Sequence, residues 1–101
     1  MSMTRLQLLL NKLSEEGCEV GQIGLKTAQF GLSEKCPGQP FTNAERCHQE
    51  IDDLMAMIEM LNEEFGFGYT PSRERIVAKK KKVNKFAEYS FALGMVEARN
   101  G

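Results

Sequence analysis

Glu15, Glu16 and Glu19, followed after a long gap by Glu50 and Asp53, are the residues of this chain whose types and spacing can do chemistry. At about 100° per residue, Glu16 and Glu19 project roughly 60° apart on one helix, as do Glu50 and Asp53 on another. Two such helices packed face to face gather four carboxylates around one point. Like charges that close raise each other's pKa values, so the arrangement calls for a hard divalent cation such as Mg²⁺, with Mn²⁺ as a substitute. A cation held there polarises a phosphoryl oxygen and lowers the pKa of a bound water, the requirements for hydrolysis of a phosphoanhydride. The sequence offers no competing chemistry: it has no Gly-rich phosphate loop ending in Lys-Ser/Thr, no serine elbow and a single histidine.

Three helices must position these groups, which predicts an all-α fold: a helical bundle of about three main helices per chain, completed by oligomerisation. The first is expected over Ser2 to Phe30, stopped by Gly31, with Leu6, Leu9, Leu13, Val20 and Ile23 on its apolar side. Beside that side run Gly17, Gly21, Gly24 and Ala28. Each Gly costs roughly 1 kcal/mol relative to Ala inside a helix, so the stripe predicts close approach by a neighbouring helix or a ligand; the alternative is a bent or broken helix. Residues 32–41 contain Pro37, Gly38 and Pro40 and read as a loop. Thr42 opens the second helix with Glu45 completing a capping box. Cys47, Ile51, Leu54, Ile58, Leu61 and Phe65 form its apolar stripe, Glu45, Asp52, Glu59 and Glu63 its solvated side, and Glu50 with Asp53 the margin between them. Gly66 and Gly68 end it. Thr70-Pro71 then starts a third helix packed through Ile76, Val83, Phe86, Ala87 and Ser90 and stopped at Gly94. Lys82, Lys85 and Tyr89 share another face of that helix, as phosphate contacts or as ordinary solvated surface.

The chain has 101 residues and reads as one domain, 1–101, short enough that its core invites self-association. Its net charge of -1 favours neither nucleic acid nor a membrane. Locally, Glu45 to Glu64 carries seven acidic residues against Arg46 alone, and Lys79 to Lys85 five lysines and no acid. Three cysteines, Cys18, Cys36 and Cys47, lack paired spacing and suit reduced thiols in a cytoplasmic protein. Cys18 and Cys47 are expected as small buried hydrophobes and His48 at the surface. The apolar run Leu6 to Leu10 is too short for a membrane span and lacks the features of a signal peptide.

The acidic residues resemble the hallmark of the MazG-like all-α nucleoside triphosphate pyrophosphohydrolases, Glu-Glu-x-x-Glu, a spacer, then Glu-x-x-Asp. Here these read Glu15-Glu16-Gly17-Cys18-Glu19 and Glu50-Ile51-Asp52-Asp53, in surroundings similar to the short phage and bacterial form of the family. Residues 6–61 carry the resemblance; Lys82-Val83-Asn84-Lys85-Phe86 is similar but less diagnostic. The 30-residue spacer, Val20 to Gln49, is longer than the family pattern, and the Pro-rich loop accounts for the excess. The resemblance implies Mg²⁺-dependent attack by water between the α- and β-phosphates, releasing a nucleoside monophosphate and pyrophosphate. It makes Glu16, Glu19, Glu50 and Asp53 metal ligands and places Glu15 and Glu16 in the catalytic machinery. Glu15 is a further ligand, a base orienting the water, or an ion-pair partner at the rim. Lys82, Lys85 and Tyr89, with Lys12 as a weaker candidate, would contact the nucleotide, and the protein would be a homodimer or homotetramer without nucleic-acid partners. The rival reading is a non-catalytic helical module that binds a nucleotide or a partner.

Overall fold

The computed structural model describes residues 1–98, and the last three residues of the expected 1–101 domain lie outside them. The fold is all-α: α1 (Arg5–Phe30), α2 (Asn43–Phe65) and α3 (Arg73–Ala92), with no strand among the described residues. The chain divides into two compact units, Met1–Tyr69, which holds α1 and α2, and a second that begins at Thr70 and holds α3.

In the first unit, α1 and α2 form an antiparallel hairpin. Arg5, at the start of α1, donates through Nε and Nη2 to the two carboxylate oxygens of Glu64, near the end of α2, at 3.0 and 3.1 Å. At the other end, the Thr27 hydroxyl lies 3.3 Å from Cys47 Sγ. Between these points runs a seam with residues alternating four and three apart: Leu9, Leu13, Glu16, Val20, Ile23 and Thr27 on α1, and Asn43, Cys47, Glu50, Leu54, Met57 and Leu61 on α2. This spacing keeps one narrow stripe of each helix turned towards the other. Every position in it is buried or half-buried. Among the described residues the buried apolar ones are Leu9, Ile23 and Leu61, so the core lies towards the two ends of the hairpin. Glu16 and Glu50 occupy the middle of the seam, where the pattern would otherwise place a hydrophobe.

Side chains secure the connection. Asn43, 1% exposed, donates through Nδ2 to the Gly31 carbonyl and to Glu34 Oε1, both at 2.9 Å, while its backbone N–H donates to the Glu34 carbonyl. Thr42 and Glu45 make the expected capping box, with Glu45 accepting from the Thr42 N–H at 2.9 Å and Thr42 Oγ1 accepting from the Glu45 N–H at 3.1 Å. Gly66, left-handed at φ 61°, closes α2. Asn62 then pins the following turn through paired hydrogen bonds with the backbone of Tyr69.

Several expectations change. α1 begins at Arg5 rather than Ser2, because Thr4 and Gln7 form a capping box of their own. α3 begins at Arg73 with Ser72 as its cap, which places Pro71 outside the helix. Its end follows the expected stop: Gly94 has φ 75°, its N–H donates to the Phe91 carbonyl, and the Met95 N–H reaches back to Ser90. On α2 the buried stripe is rotated, because a two-helix contact covers only the seam; Ile51 and Phe65 are exposed. Leu6 is exposed for the same reason. Cys18 is exposed and Cys47 half-buried, since the first lies off the seam and the second on it. All three cysteines are free, and His48 is at the surface as expected. The expected packed face of α3 has no buried residue: Ile76, Val83 and Phe86 are exposed and Ser90 is half-buried. α1 runs unbroken through Gly17, Gly21 and Gly24, and apart from the adjoining backbone of α1 nothing in the described chain lies within 4 Å of a Cβ added at any of them.

Asn43 is the side chain on which the connection depends. Asn43→Ala removes a buried side chain that donates to the Gly31 carbonyl and to Glu34, and loss of such bonds costs roughly 1–3 kcal/mol. Chemical denaturation is expected to show a loss in that range, whereas Gln39→Ala, on the exposed turn, should leave stability unchanged.

Candidate metal centre

The two glutamates of the seam each bring an acidic neighbour three residues on, Glu19 from α1 and Asp53 from α2. Glu16, Glu19, Glu50 and Asp53 offer carboxylate oxygens that all lie within 4.8 Å of one another. Glu16 and Glu50 are half-buried, and Glu19 and Asp53 are exposed, so the group opens along one side of the hairpin. The antiparallel pairing produces this meeting, because the middle stretches of α1 and α2, which hold these four residues, oppose each other.

The electrostatics are those of crowded anions. Glu16 is held above its ordinary pKa, first by burial and then by the nearby charges of Glu19, Asp53 and Glu15. Glu50 is also raised, first by the hydrogen bond its protonated carboxyl makes with Glu19, then by burial and by the charges of Glu19, Asp53 and Glu16. One oxygen of each, Oε2, is buried with no hydrogen-bond partner. An unpaired buried carboxylate oxygen is costly. Two of them, converging from two helices beside the carboxylates of Glu19 and Asp53, fit a hard divalent cation.

Glu15 stands outside this group. It accepts an ion pair from Lys12 at 3.1 Å on the exposed side of α1, so ion pairing is the one of its three expected roles that the geometry displays. Lys12 is engaged by the same contact. Lys82, Lys85 and Tyr89 stand exposed on α3, in the second unit.

Sequence reasoning passed over a neighbouring feature. A cleft of about 250 Å³ along the hairpin is lined by Glu19, Gln22, Ile23, Lys26, Arg46 and Glu50. Its signal was available: Lys26 is two helical turns after Glu19, and Arg46 is one turn before Glu50.

The raised carboxyls set a pH dependence. Between the ordinary carboxylate pKa and the raised folded values, the folded protein binds more protons than the unfolded chain, so stability falls as pH rises through that window. Glu64 and Glu45 act in the opposite direction. Their pKa values are lowered by hydrogen bonds from Arg5 and from Thr42 respectively, and the stability they give is lost as pH falls through those lowered values. Metal-free protein is therefore expected to gain thermal stability on mild acidification and to lose it in stronger acid. Glu50→Gln should raise Tm at neutral pH and flatten the first phase only; an unchanged first phase would remove the repulsion from this account.

Comparison with protein-family models, with curated proteins and with solved structures returns no match to this chain.

Proposed function

We propose that this chain is a divalent-cation-dependent pyrophosphohydrolase, similar to the MazG-like all-α enzymes, that cleaves a nucleoside triphosphate or related nucleotide to the monophosphate and pyrophosphate. The observation that carries the reading is the convergence of Glu16, Glu19, Glu50 and Asp53, with two buried carboxylate oxygens lacking donors. A purely structural role leaves those oxygens unexplained.

These four residues would hold Mg²⁺, or Mn²⁺ in its place. When bound, the cation neutralises the carboxylates, polarises the phosphate and supplies a water of lowered pKa. In the reaction the water oxygen bonds to the α-phosphorus, the bond from that phosphorus to the bridging oxygen breaks, and its electron pair leaves with pyrophosphate. The water's proton needs an acceptor beside the phosphate. On the resemblance, Glu15 or Glu16 would take that proton. Glu15 is paired with Lys12 at the rim. Lys82, Lys85 and Tyr89 stay candidates for substrate contact on the resemblance alone.

Assembly into a homodimer or homotetramer belongs to the same proposal. A hairpin with three buried apolar side chains among its described residues has a small core, while Leu25 is 75% exposed on α1 and Phe86 57% exposed on α3. Apolar surface of that extent in so short a chain favours self-association.

A panel of nucleotides, assayed for pyrophosphate release with and without Mg²⁺, tests the activity. Glu50→Ala and Asp53→Ala are expected to lower turnover by at least about 100-fold while leaving thermal stability equal to or above wild type. Glu59→Ala, on the solvated side of α2, should be silent. Absence of Mg²⁺-dependent release across the panel would favour the non-catalytic module.

The glycine stripe tests assembly separately. In a free helix, Gly21→Ala stabilises by up to about 1 kcal/mol. Against a packed partner helix, the larger Gly21→Leu costs typically 1–3 kcal/mol and moves the sedimentation profile towards smaller species. The second pattern is expected; a monomeric, fully active wild type would contradict it.

A further inference from the structure

The polar cleft beside the carboxylates mixes charges. Glu19 and Glu50 form its wall nearest the acidic group, and Lys26 and Arg46 line it together with Gln22. Lys26 lies seven residues beyond Glu19, roughly 10 Å along α1, and Arg46 four residues before Glu50, about 6 Å along α2. Because the helices are antiparallel, both displacements run towards the connecting loop. This side of the hairpin therefore changes sign along its length, with four carboxylates at its middle and two cations towards the loop.

Neither cation is spent on its acidic neighbours. Among the described residues the ion pairs are Arg5 with Glu64 and Lys12 with Glu15, and neither Lys26 nor Arg46 takes part in one. Arg46 is half-buried nonetheless. Cations that share a cleft with carboxylates yet make no pair with them can accept an outside anion.

We infer that Lys26 and Arg46 form an anion clamp that holds the polyphosphate tail of the substrate on the loop side of the cation site. The inference rests on the reading of the four carboxylates as a cation site, and it fixes the polarity of the substrate: the cleaved phosphate at the carboxylates, the departing pyrophosphate on Lys26 and Arg46. Negative charge grows on that leaving group as the bridging bond breaks, so the clamp strengthens in the transition state. Selection then acts on the length of the phosphate chain, with triphosphates preferred over monophosphates and pyrophosphate acting as a competitive inhibitor.

Calorimetric titration with inorganic pyrophosphate in the presence of Mg²⁺ tests this without turnover. Lys26→Gln and Arg46→Gln are each expected to weaken pyrophosphate binding at least about tenfold, and the charge-keeping Lys26→Arg and Arg46→Lys to weaken it less than the corresponding Gln change. Mg²⁺ binding, titrated alone on the same samples, should not fall in any of the four. A Lys26→Gln/Arg46→Gln double variant that binds pyrophosphate as wild type does would overturn the clamp, as would a wild type that binds Mg²⁺ and no pyrophosphate. Pyrophosphate bound through these two residues by a protein that takes up no Mg²⁺ would keep the clamp and sink the cation site.

Discussion

Repulsion among carboxylates built into a helical seam is the interaction on which this structure turns. The seam between α1 and α2 repeats every three and four residues, and that period is met by hydrophobes at its ends and by Glu16 and Glu50 at its middle. Substituting an apolar pair at those two positions would remove buried charge, and such replacements are often neutral or stabilising. The chain instead adds Glu19 and Asp53 beside them. The hairpin thus holds a strained, anionic centre between two apolar clamps, Leu9 with Leu61 towards one end and Ile23 towards the other. The caps, the bidentate Arg5–Glu64 pair and the Asn43 hydrogen bonds fix the register that keeps the centre assembled.

Register also determines what the site can do. Oxygens held on helices are positioned more rigidly than oxygens on loops, and a site for a small hard cation needs that rigidity. The same antiparallel arrangement orders charge along the hairpin, from the carboxylates to Lys26 and Arg46. On the proposed reading, a polyphosphate bound to divalent ions presents both signs, and this side of the hairpin offers complements to both.

The acidic spacing is legible in the sequence because a helix converts a three-residue interval into a shared face, so Glu16 groups with Glu19 and Glu50 with Asp53 on spacing alone. The capping box at Thr42 and Glu45 and the glycine stops are legible for the same local reason. What the sequence hides depends on the partner helix. Apolar content alone puts Ile51 and Phe65 in the stripe of α2, whereas the contact surface includes the polar Asn43 and Glu50. Asn43 looks like an ordinary residue after the Thr42 cap; its importance comes from the loop folding back to present Gly31 and Glu34. Lys26 and Arg46 escape notice because they enter one cleft only once the two helices are paired. Gly17, Gly21 and Gly24 have the spacing of a contact stripe, and the hairpin itself places nothing against them.

If the seam carboxylates hold a divalent cation, Mn²⁺ must bind to them, and its uptake is read from loss of the free-ion electron paramagnetic resonance signal. Saturable Mn²⁺ binding, displaced by Mg²⁺, is expected to be lost when Glu16 and Glu50 are both changed to Gln and kept when Glu59 and Glu63 are changed instead. Equal Mn²⁺ binding by the wild type and the Glu16→Gln/Glu50→Gln variant, or none by either, would contradict it.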